Sequence, residues 1–138
     1  MRFILDTNAW IAVLRRQKLV VSSLRERLAD GHEVLVTPVE YFELLRGLEK
    51  RGHREHIEQI KNLWLTLRYC EADRPMWDTA VMLWIASIRG NQKREDADVI
   101  LAAFAVRHGA VIVTNNRRDF EDFGVLLEDW TTTETHKK

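Results

Sequence analysis

Short apolar runs alternate with longer mixed segments along the whole chain. The apolar runs predict buried strands at 3–5, 34–36 and 110–113, an extended segment at 65–70 and a short last strand at 125–127. These runs are continuously apolar and do not alternate with polar residues. That pattern is typical of a parallel sheet covered by helices on both faces, so we expect an α/β fold.

The segments between these runs carry helix signals. Ser23 and Glu26 match a capping box, which predicts a helix that begins at Ser23 and is closed by Gly31. Thr37 and Pro38 predict the start of a helix over 38–50. Segment 96–107 is nearly all apolar, which indicates a buried helix. Three further helices are expected at 9–14, 53–63 and 73–89.

The composition is that of one ordinary globular domain. The chain has 138 residues, of which 46% are hydrophobic and 30% charged. We expect one domain over 1–130 and a polar tail over 131–138. Lys plus Arg and Asp plus Glu both total 21, so the net charge is zero. Nucleic-acid binding would therefore need local basic patches or a bound cation.

The single cysteine and the hydropathy of the chain limit its class. Cys70 has no partner for an intrachain disulfide and is expected to be a buried small hydrophobe. No run approaches the ~18 apolar residues of a membrane span. The N-terminus reaches a charge after three apolar residues, which is too soon for a secretory signal. We expect a cytoplasmic protein.

Polar groups follow two of the predicted strands. Asp6 ends the first strand, and Thr114 with Asn116 ends the strand at 110–113, with Asp119 just beyond. The carboxyl ends of parallel strands form the usual ligand-binding edge of an open α/β sheet. These groups are therefore candidates for chemistry.

Two other acidic positions are ambiguous from pattern alone. Asp98, Asp96 and Glu95 would each serve as a cap or dipole partner at the start of the buried helix. Glu43 falls on the polar side of helix 38–50, where pairing with Arg46 at the solvent surface is the simpler interpretation. Glu40 is interpreted as structural, because it completes a capping box with Thr37.

Metal chemistry is the hypothesis that would unite the acidic residues. Carboxylates from distant parts of the chain repel each other unless a cation joins them. Mg²⁺ prefers hard oxygen ligands, and a divalent ion would let a phosphate approach the acidic site. The spacing of these residues in the sequence does not by itself bring them together.

Four segments resemble, in order, the acidic motifs of PIN domains. The opening Phe-Ile-Leu-Asp-Thr-Asn resembles the first, and segment 36–47 resembles the second, with Glu43 at the acidic position. Segment 98–105 resembles the third, which begins at Asp98, and segment 113–120 resembles the fourth. The small single-domain format resembles VapC-type toxins, endoribonucleases that are paired with an antitoxin.

The resemblance implies a PIN-like three-layer α/β/α sandwich with a short parallel sheet in the order 3-2-1-4-5. It implies catalytic carboxylates at Asp6, Glu43 and Asp98, with Asp119 as the fourth, and Mg²⁺ or Mn²⁺ as cofactor, held by Asp6 and Asp98. Supporting groups that would orient these carboxylates or a water are Thr7, Asn8, Thr114 and Asn116. A homodimer and a cognate VapB-like antitoxin are also implied.

Basic and aromatic residues supply the candidates for RNA contact. Arg117 and Arg118 lie beside the proposed site and are candidate phosphate contacts. Clusters 15–18 and 51–54 are expected to be solvated surface, and Arg89 with Lys93 and Arg94 forms a further candidate patch. Trp10, Trp77 and Trp84 are expected to pack in the core or in a dimer. Trp10, one turn from Asp6, is also the one tryptophan considered for base stacking.

The leading hypothesis is a metal-dependent endoribonuclease that hydrolyses RNA and acts as the toxin of a VapBC-type pair. One alternative is a catalytically inactive PIN-like module that binds RNA or protein. Another is an aspartyl-phosphate enzyme or receiver domain. A dehalogenase-like phosphatase would need a second Asp at position 8, where this chain has Asn8.

Overall fold

The computed structural model describes residues 1–91 and 94–132. Within them, five strands form one parallel sheet in the order β3-β2-β1-β4-β5, which confirms the expected fold class. The central strand β1 pairs with β2 on one side and with β4 on the other. The strands are β1 (Arg2–Leu5), β2 (Glu33–Val36), β3 (Arg68–Tyr69), β4 (Ala110–Val113) and β5 (Leu127–Glu128).

Helices connect the strands and cover both faces of the sheet. They are α1 (Thr7–Leu14), α2 (Lys18–Ala29), α3 (Pro38–Arg51), α4 (Arg54–Leu65), α5 (Arg74–Arg89) and α6 (Asp96–His108). Two single-turn 3-10 helices, Arg117–Asp119 and Glu121–Phe123, follow β4.

Side chains that alternate along each strand build two cores. In β1, Phe3 and Leu5 pack with the apolar faces of α1 to α4, whereas Ile4 packs with α5 and α6. The sheet is therefore the middle layer of a three-layer sandwich. As its composition predicts, α6 is a buried helix, with Leu101 to Ala105 almost fully covered.

Caps fix where the helices next to the strand ends begin. Asp6 accepts a hydrogen bond from the backbone N–H of Ala9 at 2.8 Å and so caps α1. Thr37 caps α3 with its hydroxyl, and Pro38 takes the first helical position as predicted. Because the caps lie directly after β1 and β2, both helices start at the same edge of the sheet.

Several predicted boundaries are wrong. Helix α2 begins at Lys18, so Ser23 lies inside it and caps nothing; the helix is longer because Val20 and Leu24 bury one face of it. Helix α1 begins at Thr7, two residues early, because Asp6 is its cap. Helix α4 extends to Leu65, and only residues 68–69 of the predicted extended segment pair with the sheet. The last strand lies at 127–128, and not at 125–127.

The tryptophans follow the expectation of core packing only at Trp10. Trp10 is fully buried, with its ring edge-on to Trp64 at a centroid distance of 5.9 Å, so it is not available for base stacking. Trp77 and Trp84 are 47% and 42% exposed, so they do not belong to the core. Cys70 is buried as expected.

No helix among the described residues is both long and apolar enough to cross a membrane. Lys93, one member of a predicted basic cluster, and residues 133–138 of the predicted tail lie outside the described residues.

Candidate metal centre

Asp6 occupies the carboxyl end of the central strand, with only 9% of its surface exposed. Its backbone N–H donates to the carbonyl of Val113 at 3.0 Å, which brings the ends of β1 and β4 together. The Ala9 N–H and the side chain of Thr114 hydrogen-bond to its carboxylate. The side chain of Asp6 is thus held by groups from two different strand ends.

Glu43 faces the same edge of the sheet from α3. The hydroxyl of Thr7 donates to its Oε1 at 2.8 Å, and the residue is half-buried. The helical pattern had instead suggested a solvent-facing pair with Arg46. In the structure the guanidinium of Arg46 lies over the ring of Phe42, 4.9 Å from its centroid.

Asp98 and Asp119 reach the same cleft from α6 and from the segment after β4. Asp98 lies in the first turn of α6 and is half-buried. Asp119 lies in the 3-10 helix after β4, where the side-chain amide of Asn116 donates to its Oδ2 at 2.9 Å. Thr114 in turn accepts from the backbone N–H of Asn116 at 2.9 Å.

One open cleft of about 540 Å³ brings these groups together. Seven of the ten predicted site residues line it, including all four carboxylates. Thr114 lies beneath Asp6, while Arg117 and Arg118 lie beside Asp119 without forming part of the walls. The lining residues are Asp6, Thr7, Asn8, Val39, Glu43, Arg46, Glu95, Ala97, Asp98, Leu101, Asn116 and Asp119.

Asp96 and Asp98 differ in their position relative to the cleft. Asp98 lines the cleft, whereas Asp96 is exposed and lies outside its walls. Glu95, which the sequence suggested only as a cap, does line the cleft and makes no side-chain cap hydrogen bond. Its position three residues before Asp98 places both on one helix face, which is the signal that could have found it.

The carboxylates of the cleft disfavour one another's charge. Burial raises the pKa of Asp98 to about 7, and the negative charges of Asp119, Glu95, Glu43 and Asp6 act in the same direction. Burial also raises the pKa of Asp6, although its hydrogen bonds to Thr114 and Ala9 oppose the shift. Among the described residues that line the cleft, Arg46 is the only cationic side chain. The site therefore has an excess of negative charge that a bound cation would relieve.

Glu40 is a buried acid that sequence reasoning classified only as a capping residue. It is fully buried one turn before Glu43 and accepts a hydrogen bond from the Thr37 hydroxyl. Burial raises its pKa to about 8. It is therefore neutral at pH 7 and adds no charge to the cleft.

The donor set fits a hard divalent ion that keeps part of its water shell. Among the described residues, no three His, Cys, Asp or Glu side chains are arranged to hold an ion by themselves. Mg²⁺ does not require such a cage, since it commonly binds one or two carboxylates and several waters. The cleft offers carboxylates, amides and hydroxyls, which suit Mg²⁺ or Mn²⁺ better than softer metals.

Comparison with known proteins gives consistent matches. The model of the family described as PIN domain matches residues 3–126. Two curated relatives named tRNA(fMet)-specific endonuclease VapC are similar to this chain. The one from Shigella flexneri is 30% identical, covering 95% of this chain and 99% of its own length. The one from Salmonella typhimurium is 26% identical, covering 94% of this chain and 98% of its own length.

A solved structure shows the same fold. VapBC2 from Rickettsia felis, crystallised with a DNA fragment from its promoter, has a chain that superposes with a TM-score of 0.85. The two chains are 20% identical, and the match covers 94% of this chain and 99% of the other.

Proposed function

Because the chain belongs to the PIN domain family, we propose that it is a Mg²⁺- or Mn²⁺-dependent endoribonuclease and the toxin of a VapBC-type toxin–antitoxin pair. One observation carries the proposal: carboxylates from four separate parts of the chain line a single open cleft at the strand ends. The full-length similarity to relatives named as tRNA endonucleases supports RNA as substrate, with tRNA as the first class to test. Because tRNA functions in the cytoplasm, we propose that the protein acts there.

We assign direct ion contact to Asp6 and Asp98, with Glu43 and Asp119 acting through bound water. These residues would hold a divalent ion, which would lower the pKa of a bound water and neutralise charge on the phosphate. Burial and the neighbouring negative charges, which raise the pKa of Asp98, support this assignment, because a bound cation would favour its ionised form.

The other residues of the cleft position these groups. The hydroxyl of Thr7 holds Glu43, the amide of Asn116 holds Asp119, and Thr114 holds Asp6. Arg46 lines the cleft and is placed to bind a phosphate oxygen. Arg117 and Arg118 remain candidate contacts to phosphates farther along the RNA.

The test is Asp6→Asn, measured for RNA cleavage with Mn²⁺ and for Mn²⁺ binding by calorimetry. Loss of a direct ligand should lower cleavage at least ~100-fold and weaken ion binding together. The control is Asp30→Asn, which changes an exposed Asp at the end of α2. Undiminished cleavage by Asp6→Asn would refute the assigned role.

A second candidate function is a catalytically inactive PIN-like module that binds RNA or protein. The observation in its favour is that no three acidic, His or Cys side chains of the described residues already form a metal cage. Calorimetry separates the two functions. A wild-type protein that binds RNA but no Mn²⁺ at millimolar concentration would favour this second function.

A groove formed mainly by α2, with Val13 of α1 and Leu63 of α4, supports an antitoxin partner. It has a volume of about 1080 Å³, and its walls include the exposed side chains of Leu19 and Leu28 beside Arg16, Lys18 and Arg25. An apolar segment with acidic flanks would complement this surface. Co-expression with the product of a neighbouring short reading frame, followed by co-purification, tests the pairing.

Helix α5 supports a homodimer. Trp77, Val81, Trp84 and Ile88 recur at the spacing of one helical face, and each is more than two-fifths exposed. An apolar stripe of this kind is typical of an interaction surface.

We also propose one nuclease domain over 1–130, since Trp130 is still buried against Phe3.

A further inference from the structure

A second cleft, of about 550 Å³, opens beside the candidate metal centre. It lies between α1 with the turn that follows it, the end of β4 and residues 129–131. Asn8 lines both clefts, and Thr114, which hydrogen-bonds to Asp6, forms part of the wall of the second. The first cleft, lined by Asp6, Glu43, Asp98 and Asp119, is the acidic cleft. A nucleic-acid strand with one phosphate there would therefore have an adjacent nucleotide within reach of the second cleft.

The walls of the second cleft combine apolar and amide surfaces. Ile11 and Ala12 supply partly exposed apolar surface, and Gln17 and Asn115 supply exposed side-chain amides. Val20 and Trp130 also line the cleft but are almost fully buried. A flat base needs apolar surface against its faces and hydrogen-bonding groups along its edge. Amide side chains offer a donor and an acceptor together, which is how Asn and Gln discriminate bases. The volume falls within the usual range of small-ligand sites.

Hydrogen bonds fix the backbone at two walls of this cleft. The Gln17 N–H returns to the carbonyl of Ala12 at 3.0 Å, through a turn in which Arg16 has a φ of 59°. On the opposite wall, the Thr131 N–H donates to Asp129 Oδ1 at 2.8 Å. The backbone at these two walls is thus ordered before any ligand binds, which lowers the entropy lost on binding.

Charge at the rim favours an anionic ligand on one side. The guanidinium-bearing Arg15 is exposed at the end of α1 and lines this cleft. Asp129, the acidic residue in the same walls, has its Oδ1 engaged by the hydroxyl and N–H of Thr131. A phosphate next to the bound base would lie best on the Arg15 side.

We propose that this second cleft binds the base of a nucleotide that flanks the scissile phosphate of single-stranded RNA. Gln17 and Asn115 read the base edge, and Arg15 binds the neighbouring phosphate. The cleft then determines the sequence preference of cleavage, whereas the acidic cleft carries out the hydrolysis. This inference rests on the proposed ribonuclease function.

The test compares wild type with Gln17→Ala/Asn115→Ala on a pool of single-stranded RNA randomised in sequence, with Mn²⁺ present. Sequencing of the fragment ends gives the base preference at each position beside the cut. Wild type should show a preference at one flanking position, and the double variant should reduce it roughly tenfold. The matched control, Gln59→Ala/Asn62→Ala, changes two exposed amides on α4 and should keep the wild-type preference.

Binding without cleavage gives an independent readout. In EDTA, fluorescence anisotropy measures the affinity of a short single-stranded RNA for wild type and for Arg15→Gln. The variant should bind more weakly, and the slope of log K against log salt should fall by about 0.7, the value for one single-strand phosphate contact. An unchanged slope would overturn the role of Arg15.

The outcomes separate this inference from the proposed function. If wild type cleaves neither tRNA nor the single-stranded pool, the proposed function fails, whereas cleavage of tRNA without cleavage of the pool overturns only the base-binding cleft. If wild type cleaves but shows no flanking preference, or if the double variant keeps that preference, only the base-binding cleft is overturned. Variants that weaken the complex with a partner protein, while the preference stays unchanged, would assign the cleft to a protein segment and also overturn the proposal.

Discussion

Three of the five carboxylates that line the acidic cleft are held by short neutral side chains. Thr7 donates to Glu43, Asn116 donates to Asp119, and Thr114 hydrogen-bonds to Asp6. Each partner is close in sequence to a strand end, so the edge of the sheet supplies both the acids and the groups that orient them. Neutral donors hold a carboxylate in place without neutralising the charge that an ion needs.

Replacement of Thr7 by Val should reduce cleavage about 10- to 100-fold, because Glu43 loses its orienting hydroxyl while the volume of the side chain is kept. Initial cleavage rates at saturating Mn²⁺ measure the effect. Thr7→Ser retains the hydroxyl and should recover most of the activity. Equal losses in both variants would mean that the hydroxyl is not the relevant group.

Glu40 gives the metal-free protein a pH-dependent stability. Its folded pKa of about 8 exceeds the ordinary value of 4.5, so the folded state keeps a proton that the unfolded state releases. The stabilising contribution is complete below pH 4.5, declines by up to about 1.4 kcal/mol per pH unit above it, and is lost above about pH 8. Glu40→Gln cannot ionise and should flatten this decline.

Urea unfolding in EDTA at pH 5 and pH 8 measures the difference. Asp6 and Asp98 also have raised pKa values, so both proteins should retain some loss of stability with rising pH. The informative quantity is the free energy of unfolding of wild type minus that of Glu40→Gln. If that difference does not change between the two pH values, Glu40 is not protonated in the fold.

At the scale of elements, two glycines separate backbone strain from helix propensity. Gly109 ends α6 with a φ of 61°, whereas Gly47 lies inside α3 with helical geometry, and a Cβ at either site would meet no atom within 4 Å. Gly109→Ala should therefore destabilise the fold by about 1 kcal/mol through strain alone. Gly47→Ala should stabilise it by about 0.5–1 kcal/mol. Thermal unfolding of the two variants checks the opposite signs.

Sequence reasoning predicted the elements whose signals are local. The buried strand over 110–113 and the helix that Thr37 and Pro38 begin are both confirmed. It failed where a local motif competed with burial: the capping box at Ser23 lies within α2, because Val20 already packs its first turns onto the sheet.

The candidate site was less accessible to sequence pattern. Residues that face a polar cleft recur along a helix in the same way as residues that face solvent. The helical pattern therefore predicted that Glu43 lies at the solvent surface. Only the resemblance to PIN domains joined it to Asp6 and Asp98. Arg46 and Glu95 were missed as members of the cleft for the same reason, although each lies three residues from a predicted acid.

At the scale of the whole molecule, the sandwich leaves different surfaces on its two sides. The side of α1 and α2 carries the groove proposed for an antitoxin, with its basic flank. The other side carries the apolar stripe of α5, which includes Val81 at 59% exposure. The acidic cleft lies at the strand ends between them, so the antitoxin and the second copy proposed above would occupy separate surfaces of this chain.

The α5 stripe should hold two copies of the chain together. A charge at its centre, Val81→Glu, would have to be buried without a partner, so dimerisation should weaken by a factor of ~100 or more. Sedimentation velocity over a range of concentrations measures the change. Leu65→Glu, which places the same charge at a site that is 84% exposed at the end of α4, is the matched control and should leave the association unchanged.

A monomeric wild type at high micromolar concentration would exclude the stripe as a homodimer interface. Equal weakening by both variants would instead indicate a general effect of added charge. A homodimer through this stripe would also affect RNA binding, because Trp77 lines a groove with Glu43 and Arg46 at the margin of the acidic cleft. If a second copy packs there, it will form part of the path along which RNA reaches the carboxylates, and Val81→Glu will then lower RNA affinity as well as dimerisation.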